Sequence, residues 1–338
     1  MSRGPEVIVA GAGALGLSCA LALADAGCAV TVRDPGGPQA SAVAAGMLAP
    51  LFEAVLDDQA RDLDLLLSAR NLWPGLAARG GVTLDRSGTA AVGEAGWLAG
   101  VRAGLLRLGF RGAELPRGML DNLAPGLAPG LDAILVREDW RLDARQALAA
   151  LSAACAAAGV TFDASSIHER PSGALLVVAT GAAQGLKGAA PELAQLSPIK
   201  GQILRYAQGP RGPFSIRAKG AYAVPGADGL AIGATMEPGR TDTTPDPVAL
   251  GPLTRAAQAL FPELESATFA VSAGVRAATP DGLPMAGPST EAGVVLAVGA
   301  RRNGWLLAPL VAEVVVACVT GRDPGPYAAR LDPGRFGG

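Results

Sequence analysis

Apolar residues fall along this chain in short blocks whose period changes from one part to the next. Residues 7–10 are wholly apolar, which suits a strand buried on both faces of a parallel sheet. Residues 14–26 have helical character and stop at Gly27, and 29–33 form a second strand-like run. The same reading predicts helices over 58–79, with Leu63, Leu66 and Leu67 marking one face, over 95–108 and over 142–158. Strands are predicted at 88–92, 134–136, 160–162 and 174–180, while 115–131, rich in Pro and Gly, reads as irregular loop. From Lys200 the character changes. GQILRY, AYAVP and LAIGATM are strand-like runs separated by Gly-Pro-Asp turns, which predicts an antiparallel sheet. A helix over 252–261 and a strand over 268–275 follow. The strand 295–300 then feeds a helix over 305–319, a pair patterned like the first, so the chain is expected to return to the parallel sheet. The fold class is therefore α/β with a separate antiparallel-sheet domain.

The first unit carries chemistry. GAGALG, Gly11 to Gly16, fits G-x-G-x-x-G between a strand and a helix, and Asp34 ends the next strand. Gly11 permits the tight turn, Gly13 lets backbone approach a pyrophosphate, and Gly16 lets the helix pack on the strand. The helix start at Ala14 offers N–H donors, and Asp34 accepts from ribose hydroxyls. ASAVAAGMLAP, residues 40–50, follows where an NAD-binding unit normally continues into another helix and strand. Its small residues, Ser41, Ala45 and Gly46 among them, with Met47 next in line, suit a second backbone surface for a flavin; a close-packed Ala/Gly turn is the alternative. The turn after the strand ending at Thr180 and Gly181 suits a third close approach.

Composition narrows the rest. Over 338 residues only 17% are charged and the net charge is −2 with no long basic block, which argues against nucleic acid or an anionic membrane as partner. Mean hydropathy is positive, but 305–320, the most apolar run, is short and holds Pro309 and Glu313, so no membrane span is expected. Cys19, Cys28, Cys155 and Cys318 lie in apolar runs without a C-x-x-C pair, which predicts buried free thiols and a reducing, cytoplasmic setting. With His168 the only histidine, a multi-histidine metal site is excluded, no metal is expected, and the hard chemical step falls to a cofactor.

Four blocks in order, GAGALG, SAVAAGMLAP, YAVPGADGLAIGATMEPG and GVRAATPDGLPMAG with its sequel GARRNGWLLAP, resemble the glycine oxidase branch of the D-amino-acid oxidase family of flavoproteins. IKGQ, from Ile199, also fits. The resemblance covers nearly the whole chain. It implies an FAD domain from residues 1–80, 138–198 and 276–338, and a substrate domain from 81–137 and 199–275. It implies noncovalent FAD, since no cysteine stands near Gly274 where related enzymes attach flavin. The implied reaction oxidises glycine or another small amine-bearing acid to its imine, with dioxygen as electron acceptor and thiamine biosynthesis as setting. A dehydrogenase with another acceptor and an inactive flavin-binding protein are the alternatives. A homo-oligomer is left open.

By the same resemblance Arg276 clamps the substrate carboxylate, Tyr222 hydrogen-bonds it, and Met236 lines an apolar wall. Ala45, Gly46 and Met47 face the flavin ring, and Ile167 offers a main-chain contact to adenine. Arg302, Asn303, Gly304, Trp305 and Leu306 form the helix start aimed at the flavin, with Arg302 facing the chemistry and Arg301 solvated or paired on the far side. The sequence departs from the family pattern at Ala182, Gln184, Arg217, Ala277 and Ala300, which bears on the pocket more than on the fold.

Overall fold

The structure, a computed structural model, describes residues 4–57, 59–209 and 212–337. Asp58, where the sequence puts a helix start, lies outside the described residues. Two sheets organise the chain. The first has six strands in the order Met285–Pro288, Val294–Val298, Leu175–Val178, Glu6–Ala10, Ala29–Arg33 and Thr161–Asp163. All its pairings are parallel except that between Met285–Pro288 and Val294–Val298. Strands buried on both faces must be apolar throughout, which is why Val7, Val9 and Ala10 have no exposed surface. Helices Ala14–Asp25, Leu63–Gly80, Ala144–Ala157 and Gly304–Thr320 build the core against this sheet, around Trp73 and Trp305. The Trp73 indole N–H donates to the Trp305 carbonyl at 2.9 Å, tying the late helix to the early one.

The second sheet has nine strands. Its path runs Glu237–Pro238, Ser197–Tyr206, Gly229–Gly233, Ala221–Gly226, Ser215–Ala218, Thr89–Gly93, Asp132–Val136 and Ala113–Leu115, with Ala270–Ala278 paired along Ser197–Tyr206. It is antiparallel save for the parallel contact of Ser215–Ala218 with Thr89–Gly93. The strand Ala270–Ala278 runs through the 275/276 position where the sequence reading divides the domains, and Ser197–Tyr206 runs through 198/199. These two paired strands therefore carry the chain from one sheet to the other.

Local differences from the sequence reading are instructive. The loop expected over 115–131 contains the helix Arg117–Leu123, whose one buried side chain is Leu120. The small-residue loop over 40–50 is partly regular: helix Ala40–Val43, strand Met47–Leu48 paired with Trp140–Arg141, and then helix Pro50–Leu56. The helix expected from 252 begins at Pro247, where Asp246 caps it by accepting from the Val248 and Ala249 N–H groups. Cys318 is half-buried rather than buried, because it sits near the end of the last long helix; the other three cysteines are buried as expected. Among the described residues no helix is long and apolar enough to cross a membrane.

Candidate active site

Two cavities lie where the sheets meet. The first, about 720 Å³, is lined by the glycine loop Gly11–Ala14, Asp34, Ile167, Thr180 and Gly181. Gly11 has φ +110°, and a side chain there would strike the Ala179 carbonyl. A Cβ on Gly13 would stand 3.1 Å from the Ser41 hydroxyl. The Ser41 hydroxyl oxygen accepts from the Ala14 N–H at 3.0 Å, and the Asp34 carboxylate accepts from the Ala12 N–H at 2.6 Å. This is a bare backbone cradle at a helix N-terminus, with an acid at its far side. It fits the pyrophosphate and ribose of a dinucleotide. Gly16 does not line the cavity; its missing side chain makes room for the Gly11 carbonyl, as the motif requires.

The second cavity, about 440 Å³, shares Ala40, Ser41, Arg276, Arg301 and Gly304 with the first. Ala45, Gly46 and Met47 form one wall, and Tyr222, Met236 and Gly201 another. Arg276 stands at the junction. Its guanidinium donates to the Thr235 carbonyl at 3.3 Å and contacts the Met236 sulfur at 3.3 Å, and among the described residues it makes no ion pair. Burial holds its pKa below the usual arginine range, and the nearby Arg302 and Arg301 push the same way. A desolvated cation without a counter-ion is poised for an anionic ligand, and a carboxylate fits its planar fork. Gly201 and Gly274 are cross-strand partners beside it, and a Cβ at Gly201 would lie closer than 3.0 Å to the guanidinium. Glycine at 201 is what lets the arginine occupy this place.

Tyr222 projects from Ala221–Gly226 over its partner Gly233, where a side chain would collide with the hydroxyl. Burial raises the Tyr222 pKa, so the phenol stays protonated and able to donate. Met236 is 41% exposed, so it is a cavity wall and not core.

The late helix start needs three corrections. Arg302 lines the cavity, but it is not free for a ligand: its Nε donates to Glu53 at 2.8 Å and its Nη2 pairs with Asp57. Arg301, expected on the far side, instead lines both cavities close enough to Arg276 to act on its charge. Leu306 has no exposed surface and packs into the core of the first sheet, so only backbone could serve a cofactor there. Asn303, Gly304 and Trp305 do line the second cavity, and the Trp305 indole N–H donates to the Ser41 carbonyl at 3.1 Å.

The sequence reading missed Glu53 and Asp57. Both line the second cavity, and together they bind Arg302 and Arg217. The helix Pro50–Leu56 presents Glu53, and its N-terminus is held by buried Asp139, which accepts from Leu51 at 2.8 Å and Phe52 at 3.2 Å. The one available signal was an acid inside the apolar run PLFEAVL.

Glycine oxidase of Pseudomonas putida is 38% identical over 150 residues, covering 42% of this chain and 40% of that protein, so the match spans less than half of either. A Rhizobium etli oxidoreductase named for thiamine biosynthesis, ThiO, is 32% identical over 92% of this chain and 95% of its own. The crystal structure of glycine oxidase from Geobacillus kaustophilus superposes with a TM-score of 0.84 at 27% identity, covering 100% of both chains. With the DAO profile, described as FAD dependent oxidoreductase, matching residues 6–318, this chain belongs to the DAO family of FAD-dependent oxidoreductases.

Proposed function

We propose that the chain is an amino-acid oxidase that converts glycine or another small amine-bearing acid to its imine, with noncovalent FAD and with dioxygen as acceptor. The observation that carries this is Arg276, a half-buried guanidinium with no ion-pair partner among the described residues, standing where the dinucleotide cavity opens into a second, smaller one. FAD, when bound, supplies the acceptor for the hydride that leaves the amine-bearing carbon.

The residues then divide the work. The Gly11–Ala14 backbone and Ser41 hold the pyrophosphate, and Asp34 takes a ribose. Ala45–Gly46–Met47 supply a wall without bulk for the ring, and Ile167 supplies main chain for the adenine. Arg276 and Tyr222 fix the substrate carboxylate, which aims the amine-bearing carbon. No side chain is needed as a strong base if the substrate binds with its amine neutral. The first sheet with its helices serves as the FAD domain and the second as the substrate domain. Similarity to ThiO supports a place in thiamine biosynthesis, and four unpaired cysteines fit a reducing cytosol.

The test uses purified yellow protein with glycine, sarcosine and D-alanine. Anaerobic bleaching of the flavin, with peroxide formed in air, is expected. Bleaching without peroxide would identify a dehydrogenase, and no bleaching with any amine acid would refute the proposal. Acid precipitation should release the flavin into the supernatant; colour kept in the pellet would refute the noncovalent assignment.

A further inference from the structure

The second cavity is more basic than the chain that forms it. The chain carries a net charge of −2, yet Arg217, Lys219, Arg276, Arg301 and Arg302 line this cavity against only two carboxylates, Glu53 and Asp57. Those two carboxylates are committed: Glu53 and Asp57 both bind Arg217 and Arg302. Lys219 is exposed at the rim, on the turn between Ser215–Ala218 and Ala221–Gly226. Arg276 and Arg301 remain, and neither has an ion-pair partner among the described residues. The carboxylate of a simple amino acid satisfies only one of them.

Arg301 is also held in place at some cost. Among the described residues it is the one non-glycine residue with positive φ, at 51°, and its N–H donates to the Ala277 carbonyl at 2.8 Å. Ala277, its hydrogen-bond partner, and Ala300, its chain neighbour, are both small and line the first cavity beside it. Two like charges facing one volume repel until anions stand between them. An arginine kept in a strained backbone conformation beside another unpaired arginine is organised for a second anionic group.

Taking the oxidase reading as its basis, we propose that Arg301 is a specificity-determining residue that binds a second acidic group of the substrate. The preferred substrates are then dicarboxylic amino or imino acids, with one carboxylate on Arg276 and the other on Arg301.

The test measures anaerobic flavin reduction of the holoenzyme by iminodiacetate, D-aspartate and D-glutamate against glycine, sarcosine and D-alanine, in the native protein and in Arg301→Gln. A dicarboxylate should be preferred in kcat/KM by about tenfold or more, the scale of one charge-assisted pair. Arg301→Gln should erase that preference mainly through KM, lower the monocarboxylates far less, and Arg301→Lys should restore part of it. Binding gives a second readout: malonate should perturb the flavin spectrum at lower concentration than acetate, and Arg301→Gln should remove the difference. Reduction by glycine with no preference for dicarboxylates would overturn this inference while leaving the oxidase reading intact. An equal loss for every substrate, with a shifted flavin potential, would assign Arg301 to the cofactor and overturn it too. No reduction by any amine acid would remove the oxidase reading and this inference with it.

Discussion

Replacing Gly201 by alanine separates the arginine's position from the protein's stability. The three atoms nearest an ideal Cβ at 201 all belong to the Arg276 guanidinium, each closer than 3.0 Å. Something must move, and the far end of a flexible side chain moves most easily. Gly201 lies in an ordinary extended conformation within Ser197–Tyr206, so alanine itself is not strained there. Loss of chain entropy in the unfolded state would add about 0.4–1 kcal/mol of stability, offsetting the cost of turning the arginine. Function has no such compensation. A charge-assisted hydrogen bond contributes about 1.5–3 kcal/mol, so displacing the fork from the carboxylate should lower kcat/KM for glycine by about 10- to 100-fold. The assay pairs steady-state kinetics with thermal denaturation, flavin content and acetate binding followed by the flavin spectrum. The expected result is a folded, flavin-bound protein with weak acetate binding. Native acetate affinity and native KM in that variant would refute the placement of Arg276 as carboxylate clamp. A sharp loss of stability would show that the arginine cannot yield.

Three further outcomes follow from the same geometry. Gly13→Val should give folded protein with little bound flavin, because its side chain would enter the cradle beside Ser41; normal flavin content by absorbance would count against that cradle. Glu53→Ala should cost about 3–5 kcal/mol in chemical denaturation, since it leaves the buried Arg217 and the half-buried Arg302 short of a partner; a change under about 1 kcal/mol would show that solvent replaces it. Burial raises the Asp139 pKa to about 7, partly opposed by the Leu51 and Phe52 N–H groups. A raised carboxylate pKa favours the neutral form, so its contribution is complete below about pH 4 and is lost as pH rises through about 7. The melting temperature should therefore fall from pH 5 to pH 8, and Asp139→Asn, which cannot ionise, should flatten that slope; an equal slope in the variant would exclude Asp139 as its source.

Legibility in the sequence followed the range of the interactions. The unit from Glu6 to Arg33 could be read almost to the residue, because an apolar run, a glycine loop and a helix ending at glycine are local signals. Ser215–Ala218 carried no such signal. It is four residues long, and it is held on one side by Ala221–Gly226 just after it and on the other, in parallel, by residues 89–91, more than a hundred positions earlier. Arg117–Leu123 was hidden by Pro116 and Gly118, which read as turn residues; Pro116 instead stands at the helix N-cap. Helix Pro50–Leu56 follows small residues whose pattern is that of a loop, and its start is held by Asp139 from far along the chain.

The site shows the same division, and there it decides the chemistry. Arg276 and Tyr222 could be named from their motifs, but whether a given arginine is free to bind substrate depends on its partners. Arg217, a departure from the family pattern, would add a third free cation if it stood alone. It does not, because Glu53 and Asp57 neutralise it together with Arg302, across 249 positions in the case of Glu53 and Arg302. The adjacent pair Arg301–Arg302 therefore divides opposite to its appearance in sequence. The arginine that matches the motif is tied to carboxylates, and the neighbour expected on the far side holds the uncompensated charge. Any account of what this cavity prefers must start from the two arginines that those acids leave over, Arg276 and Arg301.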